Sequence, residues 1–320
     1  MKEFDARFRD IQDYFLTGAR EIWEERGLAA ALPSYYHPAI IHRDARGVAQ
    51  GPGAVLAAGL PDMAAVPDRR LLGEEVIWTG SDRRGFLGSH RMVVVGRHSG
   101  ESAWGSPTGK ALRYRVMADR FAKANQISDE WQVVDTAAIL SQIGQDVQGF
   151  ARARLEDPGS EEPVFCPEVD VPGPYTGKGN DSTWGLAFEL LLERLMAGQL
   201  SVVPEQYDRA CHLNYPGGAE CHGWAAAERF WLGLRQALPG AQFVVHHRIG
   251  LEEPMLPPRA ALRWSLTGRH EGWGLFGRPT GAHVHIMGIS HAEFGPEGLR
   301  REWTLFDAVA VWMQILASEA

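Results

Sequence analysis

Apolar residues recur at helical spacing in two widely separated places. Phe8, Ile11, Phe15, Ile22 and Trp23 predict an opening amphipathic helix, and Leu186, Leu190, Leu191 and Leu195 predict another beyond the midpoint of the chain. A second helix follows Gly51 and again Gly223, clearest from Ala225 to Leu234, and Pro239-Gly240 ends the later one. After these helices the pattern becomes that of strands. Arg91 to Val95 and Leu262 to Leu266 carry β-branched and aromatic residues, followed by Leu112 to Phe121 and its counterpart His283 to Ala292, then Gly298 to Phe306. Asp135 and Asp307 are well placed as N-caps of two closing helices. Helices followed by antiparallel strands predict an α+β fold, with helices covering one face of a strongly curved sheet.

The order of elements repeats because the residues repeat. Gly96-Arg97-His98-Ser99-Gly100 returns 172 positions on as Gly268-Arg269-His270-Glu271-Gly272, and Pro107-Thr108-Gly109 returns as Pro279-Thr280-Gly281. Glu130-Trp131 with Asp135 returns as Glu302-Trp303 with Asp307, and weaker echoes pair Tyr35 with Tyr207 and Gly51 with Gly223. Two tandem domains are therefore expected, at 1–146 and 180–320. The stretch 147–179, rich in Pro and Gly, reads as linker packed along one repeat.

Composition changes this picture little. At 320 residues with 45% hydrophobic and 22% charged content, the chain is of ordinary globular type. A net charge of -8 argues against a nucleic-acid surface, which needs clustered cations. No stretch reaches the roughly 20 apolar residues of a membrane span, and the charged N-terminus lacks the pattern of a secretory signal, so a cytoplasmic location is expected. Three cysteines make no disulfide framework, and Cys211-His212 with Cys221-His222 lack zinc-ligand spacing, so no metal is expected. Neither a phosphate-binding glycine loop nor a nucleophile elbow is present.

Gly-x-His-x-Gly, a short loop to Gly-x-Pro-Thr-Gly, a strand, and then Glu-Trp-x-x-x-Asp with Gln-Ile resembles the SnoaL-like polyketide cyclases, which have the cone fold of nuclear transport factor 2. The resemblance covers most of both repeats and fits best from Gly268 to Ile315. It implies two tandem cones, each enclosing a small-molecule cavity with apolar walls and a few inward polar groups. It also implies cofactor-independent acid/base chemistry on a small, largely apolar carbonyl compound. The alternative is a non-catalytic small-molecule binder with degenerate cyclase pockets. Family members use an aspartate on the last strand, helped by a histidine on the strand before. This chain departs from that pattern, with Gln132 and Thr304 at the first position and Ala118 and Ser290 near the second.

The remaining candidates are weighed against plain structural roles. Glu130 and Glu302 alternate with Trp131 and Trp303, so the carboxylates face either the cavity or solvent while the tryptophans take the opposite face. Asp307, like Asp135, is a lone carboxylate or an N-cap. Glu302 or Asp307 is the expected base, with His270 and Asn214 orienting substrate and Trp224, Trp264, Ser290 and Thr304 lining the second pocket. In the first copy the corresponding candidates are His42, His98, Glu130 and Gln132. His42 and Asn214 are read as one equivalent slot. His283, His285 and His291 share one strand face, taken as an outer face through which the repeats form an intrachain pseudo-dimer; further homo-oligomerisation is left open.

Overall fold

The structure is a computed structural model that describes residues 1–157 and 164–318. It divides into two compact units, Met1–Gln145 with Phe165–Gly177, and Asp146–Val164 with Lys178–Ala320. The stretch read as linker is thus shared between them. Its helix α5 (named in order below) packs on the last helix of the second unit, while Phe165–Gly177 lies on the first.

The first unit opens with α1 (Ile11–Ala19), which runs into a wider π-turn (Arg20–Glu24), then α2 (Ala31–Tyr35), β1 (Tyr36–Asp44), β2 (Gly47–Gln50) and α3 (Pro52–Ala65). Four strands follow, β3 (Arg70–Ser81), β4 (Gly85–Arg97), β5 (Ala111–Lys123) and β6 (Gln126–Val134), before α4 (Thr136–Ile143). The sheet order is β2-β1-β6-β5-β4-β3. All pairs are antiparallel except β1 with β6, a parallel pair that the expectation of an antiparallel sheet missed.

The second unit starts with α5 (Val147–Glu156) and repeats the plan with α6 (Thr183–Met196), α7 (Val202–Gln206), β7 (Tyr207–Tyr215), β8 (Ala219–His222) and α8 (Trp224–Ala237). It continues through β9 (Gln242–Leu251), β10 (Arg259–Arg269), β11 (His283–Gly295), β12 (Gly298–Phe306) and α9 (Ala308–Ala317). Its sheet order, β8-β7-β12-β11-β10-β9, reproduces the first.

The repeat does not keep one offset throughout. On β1, Tyr36 pairs with Ile127 and His42 with Glu130; on β7, Tyr207 pairs with Leu299 and Leu213 with Glu302. Between α2 and the first hairpin the spacing is therefore 171 rather than 172. The second copy has one residue fewer before α7 and one more in the β7–β8 turn, which restores the register by Gly223. A one-residue slip moves a strand's side chains to the opposite face. Hence Leu213, not Asn214, takes the place of His42, and Asn214 matches Arg43 on the other face.

Arg43 is buried on that face, 4.6 Å over the Trp131 ring, where it bonds Asp129, Asp170 and the Val171 carbonyl. Tyr175 packs at a tilt against Phe121 and donates its N–H to Asp129, which ties the Phe165–Gly177 segment to the sheet.

Candidate active site

The inner face of the first sheet is concave and carries a cleft. Tyr36 and His42 come from β1, Glu130, Gln132 and Val134 from β6, Tyr114 and Val116 from β5, and Met92 and Val94 from β4. Trp23 of the π-turn and Val55, Ala58, Gly59 and Asp62 of α3 form the opposite wall, with Arg46, Arg69 and Leu71 at the rims. Its enclosed volume is about 70 Å3, and the cleft is partly open to solvent. The small residue Ala58 leaves room here, while Gly59 makes way for the Trp23 ring, which would lie 2.5 Å from a Cβ at that position.

The polar end is a chain of alternating charge. Glu130 accepts from the Tyr36 hydroxyl at 2.9 Å and from Arg120 Nε, and its Oε2 lies 3.0 Å from His42 Nδ1. His42 Nε2 faces Asp44 at 3.6 Å, and Asp44 in turn receives the Arg46 guanidinium. Three cations, Arg120, His42 and Arg46, thus enclose two carboxylates, leaving one net positive charge beside the cleft. Burial alone would discharge His42, but Asp44 and Glu130 outweigh it and raise its pKa to about 9, so the ring is cationic at neutral pH. Burial likewise opposes ionisation of Glu130, yet Arg120 and His42 hold it well below the usual carboxylate range. Asp44 is lowered too, where His42 and Arg46 overcome burial.

Stability should follow from these shifts. His42, raised from 6.5 to about 9, contributes fully below pH 6.5 and progressively less as pH rises through 9. Lowered Glu130 and Asp44 contribute above their ordinary values of 4.5 and 3.8 and lose that contribution on acidification. The first unit should therefore be most stable between pH 4.5 and 6.5 and lose about 3 kcal/mol by pH 9. Urea unfolding across pH checks this; a profile flat from 6.5 to 9, or one that His42→Gln leaves unchanged, would contradict the assignment.

The second copy keeps the carboxylate and loses its partners. Glu302 is buried and accepts from Tyr207 at 2.7 Å, Tyr215 at 3.3 Å and Thr304 at 2.7 Å. Leu213 and Ala292 stand where the first copy has His42 and Arg120, and Tyr215 stands in the place of Asp44. With hydroxyls and no cation bonded to it, burial wins and raises the pKa of Glu302. The space is filled as well. Phe230 and Trp231 replace Ala58 and Gly59, and Trp264 replaces Met92. Phe230 stacks on Tyr215 at 3.7 Å, and Trp264 packs against Trp231, Phe243 and Phe306. Gly288 makes this possible, because a Cβ there would fall 2.2 Å from the Trp264 ring.

The other predicted residues fall as follows. Trp264 Nε1 donates to Ser290, whose hydroxyl lies 2.8 Å from that of Thr304, so these two join Glu302 in one buried network. Trp224 donates to the Tyr207 carbonyl from the first turn of α8. Asp307 caps α9 by accepting from the N–H groups of Val309 and Ala310, and Asp135 caps α4. His98 lies between the hydroxyls of Thr108 and Ser102, and His270 beside Thr280, each bracing its Gly-x-Pro-Thr-Gly loop. Asn214 sits on the sheet face away from Glu302, opposite Trp303 in the ladder.

The sequence reading missed Arg120, Asp44, Tyr36 and Arg46. The β5–β6 hairpin held a signal for Arg120: its turn at Ala124-Asn125, with positive φ at both residues, sets Arg120 opposite Glu130. Among the described residues no group of three His, Cys, Asp or Glu is placed to hold a metal, and no helix is long and apolar enough to cross a membrane.

Comparison with known proteins gives the same division. Residues 15–143 match the family described as SnoaL-like polyketide cyclase, and residues 188–303 match the SnoaL-like domain. Among solved structures, IdmH from Streptomyces antibioticus is 20% identical over 42% of this chain and 97% of its own, with a TM-score of 0.36. TsrD from Streptomyces laurentii is 17% identical over 42% and 94%, with a TM-score of 0.36. AclR from Streptomyces galilaeus is 18% identical over 42% and 83%, with a TM-score of 0.34. Likeness at this level says nothing of activity. No curated protein is significantly similar in sequence.

Proposed function

From a chain that belongs to the SnoaL-like family in two tandem copies, we infer a cofactor-independent acid/base function on a small, largely apolar carbonyl compound, carried by the first copy. The reading rests on one observation above all: the open cleft reaches His42, which is held cationic by Glu130 and Asp44. A buried imidazolium is suited to polarise a carbonyl and stabilise the enolate that forms from it. Its pKa near 9 also lets it return a proton to such an oxygen. Glu130, bound by Tyr36, His42 and Arg120, is too weak a base to remove an unactivated C–H proton. Substrates whose C–H is already acidic, such as 1,3-dicarbonyl compounds, match that balance. They allow ring closure or isomerisation with little basic assistance. The second copy, filled with aromatic rings, serves as a structural partner in this reading. Gln132, at the family's acid/base position, favours the alternative of binding without turnover, because an amide neither gives nor takes a proton near neutral pH.

Benzoylacetone separates these outcomes, since its enolate absorbs differently from its enol. The enolate fraction of the bound probe should rise in the native chain and fall about tenfold in His42→Gln, equivalent to about 1.4 kcal/mol. Binding with unchanged ionisation would favour the non-catalytic alternative, and no binding would overturn both.

A further inference from the structure

The cleft has a second polar end that the chemistry around His42 does not use. Tyr114 and Arg120 lie on the same strand and the same face, six residues apart, or about 20 Å along β5. Arg120 marks the Glu130 end, and Tyr114 marks the other. Between them the lining is apolar apart from Gln132, with Met92, Val94, Val116 and Val134. Beside Tyr114 stands Arg69, which also lines the cleft. Its Nε donates to the Val66 carbonyl at 3.3 Å, while its Nη2 is buried and has no hydrogen-bond partner. A buried guanidinium N–H without an acceptor is costly, and a ligand oxygen would relieve that cost. The second copy, whose interior is packed, has Ala241 and Ile286 at these two positions.

Resting on the reading of the first-copy cleft as the substrate site, we propose that Arg69 and Tyr114 form an anchoring subsite for a carboxylate. The substrate class is then an extended, apolar keto acid, with its reacting carbonyl at His42 and its carboxylate at Arg69. Burial above all keeps the Tyr114 phenol protonated, so it can donate a hydrogen bond alongside the guanidinium. Arg pairs well with carboxylate because its N–H groups match the two oxygens. Asp62 on α3, which has interactions of its own, lines the same end, and its charge opposes that of Arg69 at Tyr114. Arg69 does not touch the reacting atoms; it is a positioning residue.

The test compares 4′-acetylbiphenyl-4-carboxylate with its carboxamide by calorimetry on the full chain. The acid should bind about tenfold more tightly than the amide, a difference of about 1.4 kcal/mol. Arg69→Met and Tyr114→Phe should each reduce that preference, Arg69→Met to near unity, by weakening the acid rather than by tightening the amide. Equal binding of acid and amide, or an acid preference that survives Arg69→Met, would overturn the subsite and leave the His42 reading standing. Failure of benzoylacetone and both biphenyls to bind would overturn the cleft reading itself, and the subsite with it.

Discussion

Glu130→Leu should destabilise the first unit by about 3–5 kcal/mol, whereas Glu302→Leu should cost the second only about 1–3 kcal/mol. The two glutamates occupy the same place on equivalent strands, and each bonds the tyrosine that opens the strand beside it, Tyr36 or Tyr207. Their other neighbours set the difference. Removing Glu130 leaves Arg120 and His42 buried with no carboxylate between them, and an uncompensated buried cation is among the costliest defects a core can hold. Removing Glu302 leaves hydroxyls, which can turn to one another; Thr304 already has Ser290 within 2.8 Å. Urea unfolding of the two variants, with tryptophan emission resolving the units, measures both costs. Equal losses would mean that the charge chain is not what sets Glu130 apart.

Much of the fold could be read from the sequence because the repeated residues are those that fix backbone geometry. Gly51 and Gly223 have φ near +80° just before their helices, and Asp135 and Asp307 cap the last helices. Such positions act locally, so spacing alone exposes them. The site was legible only in part. Glu130 and Glu302 were recognised, but which face they take depends on the twist and curvature of the finished sheet. The match of His42 with Asn214 failed because two compensating one-residue length changes, before α7 and within the β7–β8 turn, shift a single strand and leave its surroundings in register. Arg120 and Asp44 escaped notice because their partners are assembled across strands, and Arg43 because its partner Asp170 lies in the stretch read as linker.

The second copy has the better-formed motif and the richer set of aromatic residues, Trp224, Trp231 and Trp264 among them. Those same residues pack into one another in the structure. Trp264 and Phe306 fill the volume that Met92 and Val134 leave open in the first copy, and Trp231 stands where Gly59 makes way for the Trp23 ring. Aromatic content in a sequence marks a core as readily as a ligand wall, because only the packed arrangement shows whether the rings face space or each other.

In the proposed function the ligand binds in the first copy, between α3 and the sheet, beside His42. Its most direct test is calorimetric stoichiometry with benzoylacetone on the full chain, with Ala58→Phe in the first copy and Phe230→Ala in the second. Ala58→Phe places in the first cleft the ring that closes the second, and should weaken binding on the order of 100-fold, or about 2.7 kcal/mol, with the urea midpoint of the first unit retained. One ligand per chain is expected, lost in Ala58→Phe and kept in Phe230→Ala; binding that survives Ala58→Phe and disappears in Phe230→Ala would move the site to the second copy and overturn the proposal.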